Sequence, residues 1–182
     1  RLLLRRNDAA QEITVVVLTC SPNPILEGCL DSIRRQTLKA RSIEVVSDVF
    51  PVSKAEQEGL DRVKTKYYIS VDGDMVLDKS CFERLYFLIK VNPSSGSSRL
   101  PVIDPILGPV LAGGRMYLTA PVQEIGYHPF SGARDHDRYM KKELAERGYD
   151  TVSGKWIVGK HHPMYLPHEA YWKFRVNAEK AR

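Results

Sequence analysis

The chain has 182 residues, 43% apolar and 27% charged, an ordinary globular balance with length for one domain and a substantial core. Its net charge of +5 is spread among mixed signs without a Lys/Arg block. That gives no footing for a nucleic-acid partner and fits an anionic ligand or peripheral contact with an anionic membrane surface. No apolar run is long enough to span a bilayer, and the basic-apolar start, Arg1-Leu2-Leu3-Leu4-Arg5-Arg6, is too short for a signal peptide. Cys20, Cys29 and Cys81 form no metal-type spacing, so free thiols in a reducing, cytoplasmic setting are expected. A first residue of Arg rather than Met points to a processed or excised fragment.

Ile13–Thr19 is a continuous apolar, β-branched run and predicts a strand buried on both faces, as in a parallel sheet. After the loop Cys20-Ser21-Pro22, Asn23 is placed to cap a helix with Pro24 at its first position. Ile25, Leu26, Cys29, Leu30 and Ile33 form its apolar stripe. Residues 42–46 predict a second short strand ending at Ser47-Asp48. Ser53-x-x-Glu56 reads as a capping box opening a second helix with Ala55, Leu60 and Val63. Residues 67–71 predict a third strand, and Ser80-x-x-Glu83 a second box, opening a helix with Phe82, Leu85, Tyr86 and Ile89 on one side. This β-α-β-α-β-α order predicts an α/β fold with a parallel sheet and helices on its faces.

The pattern changes after residue 91. The run Asn92-Pro93-Ser94-Ser95-Gly96-Ser97-Ser98 reads as a flexible loop. With the Pro/Gly-punctuated segment 101–109 it stands where a mobile lid would. Beyond it the sequence predicts a Gly-Gly turn with a strand to Leu118, and a helix from Asp135 to Arg147 closed by Gly148. A last strand within 152–158 and a terminal helix within 167–180 follow. The chain thus divides into a first half of about 10–91, a second of about 100–165, and a tail of 166–182.

The chemistry concentrates at Asp72-Gly73-Asp74, where the third strand ends. Two carboxylates this close repel unless a cation sits beside them. All-oxygen ligands suit Mg²⁺ or Mn²⁺, with phosphate oxygens and water completing the shell. Gly73 lets a nucleotide approach the backbone. The ordinary alternative is a polar Asp-Gly turn. Thr19 and Asp48 end the first and second strands, and the rule that ligands bind outside the carboxyl ends of such strands places them near a nucleotide base and ribose. Arg115 is a candidate phosphate partner, as are Lys160 and Arg134. Asp135 and Asp137 open the predicted helix that runs to Arg147, where aspartate is ordinarily found for its dipole. His161-His162 is a solvated loop pair on the ordinary reading. Trp156 and Trp172 read as core residues rather than sugar platforms.

Several motifs in order resemble one family. The opening Thr14-Val15-Val16-Val17-Leu18-Thr19-Cys20-Ser21-Pro22-Asn23-Pro24 is followed by Leu30-Asp31-Ser32-Ile33-Arg34-Arg35-Gln36-Thr37. Then come Tyr68-Ile69-Ser70-Val71-Asp72-Gly73-Asp74, Gly113-Gly114-Arg115-Met116-Tyr117, Glu124-Ile125-Gly126-Tyr127, and Asp135-His136-Asp137 leading to Gly148-Tyr149. Together, over residues 13 to 165, they resemble family-2-type nucleotide-sugar glycosyltransferases. The resemblance implies a GT-A fold: a Rossmann-like, mostly parallel nucleotide half joined to a smaller mixed acceptor half. It implies metal-dependent, inverting transfer of a sugar from a nucleoside-diphosphate sugar to an acceptor hydroxyl, with Mn²⁺ or Mg²⁺. On it, Asp74 is the metal ligand, Asp72 lies nearer the ribose or a metal-bound water, and His161 or His162 joins the metal. Asp135 is the leading general base, with Asp137 the alternative, because Arg134 stands where the family has the Glu of a Glu-Asp pair. The stretch between Thr37 and Asp72 is shorter than in the family. A nucleotidyltransferase and a non-catalytic sugar-nucleotide-binding module are the competing readings.

Overall fold

The computed structural model describes residues 6–110, 114–128 and 135–162. A short α1 (Arg6–Gln11) leads into β1 (Ile13–Thr19), α2 (Leu26–Arg34), β2 (Ser42–Ser47), α3 (Val52–Arg62), β3 (Tyr67–Asp72) and β4 (Met75–Leu77). Then come α4 (Cys81–Val91), β5 (Ser95–Arg99), β6 (Val102–Asp104), β7 (Gly108–Val110), β8 (Arg115–Leu118), α5 (Thr119–Ile125), α6 (Asp135–Glu146), β9 (Asp150–Ser153) and β10 (Gly159–His161). Six strands form one sheet in the order β2-β1-β3-β8-β5-β9, and four form a second in the order β4-β10-β6-β7. In the large sheet β1 runs parallel to β2 and β3, β8 runs antiparallel to β3 and β5, and β9 runs parallel to β5. The first half is therefore the predicted parallel α/β unit, and the sheet turns mixed at β8.

The β1 run is apolar throughout because both faces of the sheet are covered. Ile13, Val15 and Val17 pack with Cys29, Ile33, Phe82 and Leu85 of α2 and α4. Val16 and Leu18 pack on the other side with Leu60 of α3, Val122 of α5 and Met140 and Leu144 of α6. Such strands read as unbroken apolar runs rather than alternating ones.

The polar residues expected to cap the helices make other contacts. α2 begins at Leu26, not Pro24, since the Asn23 side-chain oxygen accepts from the Ile25 N–H at 3.0 Å and closes a turn of its own. Neither capping box forms. Glu56 turns inward and accepts from the Ser70 hydroxyl at 3.1 Å. Glu83 accepts from the Thr37 hydroxyl at 3.0 Å.

The serine run is a strand, not a loop. β5 lies inside the large sheet between β8 and β9, and Ser95, Ser97 and Ser98 are buried. Its hydroxyls are paired: Ser98 donates to the Leu85 carbonyl at 2.9 Å, Ser95 donates to the Ser97 carbonyl at 3.0 Å, and Ser97 shares a hydrogen with Thr151 at 2.9 Å. A Cβ at Gly96 would stand 2.7 Å from Tyr149 Cβ and 3.1 Å from Leu144, so large neighbours fill the room that small residues leave. The first part of the expected lid, residues 92–98, is therefore largely a buried strand rather than a flexible loop. Residues 101–109 carry the β6–β7 hairpin, whose turn is held by Asp104.

The strand expected within 152–158 is found only at its start, where β9 ends at Ser153; residues 154–158 are irregular and β10 begins after them at Gly159. α6 stops one residue short of the reading, and Gly148 takes the left-handed conformation (φ +81°) that ends it. The terminal helix expected within 167–180, and Trp172, lie outside the described residues. Cys29 and Cys81 are buried free thiols and Cys20 is exposed. No helix among the described residues is long and apolar enough to cross a membrane.

Candidate functional site

β1 and β3 end at the same edge, with Leu18 level with Asp72. The chain then turns so tightly that the Gly73 N–H donates to the Leu18 carbonyl at 2.7 Å. A Cβ on Gly73 would stand 2.9 Å from the Thr19 side chain and 3.1 Å from Asn23 Nδ2. The glycine is thus required by Thr19, whose hydroxyl oxygen accepts from Asn23 Nδ2 at 2.9 Å. Thr19, Asn23, Asp72, Gly73 and Asp74 form the polar side of a cleft of 250 Å³. Val49, Phe50 and Val52 form its apolar wall, with the Phe50 ring 70% exposed at the rim.

The turn carries Asp74 out of the large sheet and into the small one. β4 pairs with β10 in a register that sets Met75 opposite His161. His161 Nε2 lies 3.1 Å from Asp74 Oδ2 and its Nδ1 lies 2.7 Å from Asp104 Oδ2. The Asp104 side chain is 1% exposed. Its Oδ1 already accepts from the Ile106 and Leu107 N–H groups at 2.8 and 2.9 Å. Its Oδ2 is therefore the acceptor for an Nδ1–H, which leaves Nε2 turned to Asp74. Burial pulls His161 toward its neutral form, but the hydrogen bonds and charges of Asp74 and Asp104 outweigh it and raise the pKa above 6.5. His162 is exposed, and its backbone N–H donates to the Asp74 carbonyl at 2.8 Å. The pairing of β10 with β4 thus selects His161, not His162, as the imidazole beside Asp74.

Asp74 Oδ1 is buried and has no hydrogen-bond partner among the described residues. A buried carboxylate oxygen without a donor costs free energy that a cation would recover. A carboxylate beside a histidine whose other nitrogen is bound by a second carboxylate is the arrangement that orients metal-ligating imidazole. Asp74 and His161 therefore fit Mn²⁺ or Mg²⁺. Among the described residues no group of three or more His, Cys, Asp or Glu gathers as a metal set. The remaining positions of such an ion would fall to ligand oxygens and water.

Beneath Asp72 lies a buried polar cluster. Glu56 is 4% exposed, and burial first, then the charge of Asp72, push its pKa from 4.5 up to about 7 against the pull of Arg115 and the Ser70 hydroxyl. Burial works against the Arg115 charge, yet Tyr117, Asp72 and Glu56 hold its pKa above the ordinary value. Tyr68 stacks on Tyr117 at 5.1 Å and shares a hydrogen bond with Tyr127 at 3.0 Å. Arg115 is thus placed as a counter-charge under Asp72. Asp48 has φ +60° and binds the loop after β1: it accepts from Ser47 Oγ at 2.6 Å and from the Ser21 N–H at 2.7 Å. Those bonds, the Ser47 hydroxyl foremost, hold its pKa down. It stands outside the residues lining the cleft. Asp135 and Asp137 occupy the first turn of α6, and their side chains lie outside those described.

Two residues of this constellation escaped the sequence reading. Asp104 lies in the Pro/Gly-punctuated segment 101–109, where its one local signal is an Asp-Pro turn, and Glu56 reads as half of a capping box.

No protein-family model matches the chain, and no curated protein does. Solved structures do. A mannosyltransferase from Pyrobaculum calidifontis, in complex with GDP-Man and Mn²⁺, superposes with a TM-score of 0.71 at 13% identity, over 91% of this chain and 60% of that one. TarS 1-349 of S. aureus in complex with UDP-GlcNAc gives 0.70 at 12% identity, over 88% and 61%. CMP:2-keto-3-deoxy-manno-octonic acid synthetase complexed with CTP gives 0.61 at 11% identity, over 93% and 100%. The fold is the GT-A type shared with these sugar-nucleotide enzymes. The chain spans about three-fifths of the length of the two glycosyltransferases.

Proposed function

We propose that this chain is the GT-A domain, with its nucleotide and acceptor halves, of a glycosyltransferase that uses a nucleoside-diphosphate sugar and a divalent cation. One observation carries the reading: Asp74, with a partnerless buried oxygen, stands against His161 at the floor of a cleft where a GT-A sheet ends. Support comes from the neighbour that holds both GDP-Man and Mn²⁺ on the same fold.

In this reading Asp74 and His161 hold Mn²⁺ or Mg²⁺. The ion, when bound, neutralises charge on the departing diphosphate. Asp104 fixes the His161 tautomer and ring direction. The wall of Val49, Phe50 and Val52 takes the flat nucleoside base, and Asp72 sits toward the ribose. Thr19 shapes the floor through Asn23, while Asp48 shapes the loop above it. Glu56 and Arg115 brace Asp72 from below. The carboxylate that takes the acceptor hydroxyl proton comes from the first turn of α6, with Asp135 leading and Asp137 the alternative. A base there gives inversion at the anomeric carbon.

The nucleotidyltransferase reading is kept by one observation. The synthetase that binds CTP matches along its whole length, not three-fifths of it. Against it, residues 20–24 after β1 carry neither Gly nor Lys, unlike a basic phosphate loop. Product analysis separates the two. Release of nucleoside diphosphate from a sugar nucleotide with Mn²⁺ supports the transferase. Release of pyrophosphate from a nucleoside triphosphate plus a sugar substrate supports the nucleotidyltransferase and ends the first reading.

A further inference from the structure

The carboxyl edge of the large sheet carries a second polar cluster, one and two strands beyond Asp72. Ser70 of β3 stands opposite Arg115 of β8, Arg115 opposite Arg99 of β5, and Arg99 opposite Ser153 of β9. Residues level in one such row share a face. The row below it holds Tyr68, Tyr117, Ser97 and Thr151. Together with Lys141 of α6, the side chains of Ser97, Arg99, Arg115, Tyr117 and Thr151 line a cavity of 30 Å³.

The charges in this cavity do not cancel among its own walls. Two guanidiniums directly opposite on an antiparallel pair repel, and Lys141 adds a third cation. Arg115 is compensated on the β3 side, where Asp72 and Glu56 act on it. On the β9 side Arg99 Nε donates to the neutral Ser153 hydroxyl at 3.0 Å. The Ser97 and Thr151 hydroxyls bond each other at 2.9 Å, which uses one of their two protons and leaves the other for an incoming acceptor. Guanidinium, ammonium and hydroxyl donors converging on one small space match the oxygens of a phosphate or carboxylate. A volume of 30 Å³ takes about two oxygen-sized groups.

We propose that this cavity is an anion subsite for the acceptor, so that the acceptor of the transfer carries a phosphate or carboxylate near its reacting hydroxyl. The inference rests on the transferase reading. The position suits it. Arg99 lies two strand spacings from β3, roughly 10 Å, on the side away from the apolar wall of the nucleotide cleft. Lys141 stands one helical turn after Asp137, so an anion held there lies one turn along α6 from the alternative base. A neutral acceptor would bring no charge to offset Arg99 and Lys141, for which no carboxylate partner stands among the described residues.

The first arm of the test needs no substrate. Inorganic phosphate is titrated into the metal-free protein by ³¹P NMR or calorimetry. Arg99→Gln and Lys141→Gln, each removing one cation, are expected to weaken phosphate binding by about 10-fold or more. Asp74→Asn is expected not to weaken it. Lys141 is exposed on its helix, so that variant keeps the fold even if Arg99→Gln does not. Phosphate affinity unchanged in both cation variants, or lost in Asp74→Asn alone, overturns the subsite. The second arm compares a neutral sugar, the same sugar phosphorylated, and a phosphorylated lipid in micelles, with Mn²⁺ and donor present. The phosphorylated acceptor is expected to be preferred, with its KM raised about 10-fold by Lys141→Gln relative to the donor KM. Sugar phosphate and lipid phosphate arms tell the two sources apart. Preference for the neutral sugar overturns the inference. Should donor turnover be absent altogether, the transferase reading fails while the phosphate titration still reports on the subsite.

Discussion

His161 and Asp104 lie 57 positions apart, on neighbouring strands of the small sheet, and their side chains meet at 2.7 Å. The contact costs Asp104 its exposure, and the Ile106 and Leu107 N–H groups stabilise the buried carboxylate in return. Its effect is on His161, whose ring cannot rotate away from Asp74 without breaking it. Asp104→Asn is therefore expected to lower Mn²⁺-dependent nucleotide affinity by roughly 10- to 100-fold, the usual loss when such an orienting carboxylate is removed. His162→Ala is expected to leave it within twofold. Because a proton competes with the ion at Nε2 and the His161 pKa is raised, the Mn²⁺ affinity of the native protein should fall as pH drops below that raised value. Equal losses in the His161→Ala and His162→Ala variants would contradict this arrangement.

Gly96 tests the buried serine strand. Its Cβ position is filled by Tyr149 and Leu144, so Gly96→Ala should destabilise the fold by about 1–3 kcal/mol, as overpacking does. Hydrogen exchange should find the amides of 95–99 protected in the free protein, before any donor or metal is added. Rapid exchange there would restore the loop.

The sequence carried the first half of the fold well because its strands are covered on both faces, so burial alone writes β1 and β3 as apolar runs. Asp72-Gly73-Asp74 was visible because its signal is local. β5 was not, since Ser-Gly-Ser-Ser has no apolar pattern and owes its place to Tyr149, Leu144 and Tyr117 beside it. Glu56 was hidden by a motif that local rules also explain, and only the packing of α3 on β3 turns it toward Ser70. The choice between His161 and His162 was open in sequence because it depends on one residue of register between β10 and β4.

Glu56 gives a pH signature. Its native pKa stands at about 7 against an ordinary 4.5. Between those values the native carboxyl keeps a proton that the unfolded chain has released. Stability from this group is full below about pH 4.5 and is lost as pH rises to about 7, by on the order of 3 kcal/mol. Glu56→Gln should flatten that part of the stability profile measured by urea unfolding. An unchanged slope in the variant would mean that Glu56 is already ionised in the native state.

The two aspartates of α6 separate by kinetics. The general base, when changed to Asn, should lose about 10²–10⁴-fold in kcat while donor affinity stays near native. Asp135→Asn is expected to show this loss and Asp137→Asn a smaller one, with a product of inverted anomeric configuration. A retained configuration, or full activity in Asp135→Asn with loss in Asp137→Asn, would reassign the base.

The most direct measurement is the affinity of nucleoside diphosphates by calorimetry, with Mn²⁺ and with EDTA, for the native protein and for Asp74→Asn. Binding is expected to be strong only with Mn²⁺ and to fall to the EDTA level in the variant, since in the proposed site Asp74 Oδ1 and His161 Nε2 would hold the ion, with diphosphate oxygens and water in its remaining positions. Native affinity that is the same in EDTA as in Mn²⁺ would contradict the metal-assisted site at the end of β3.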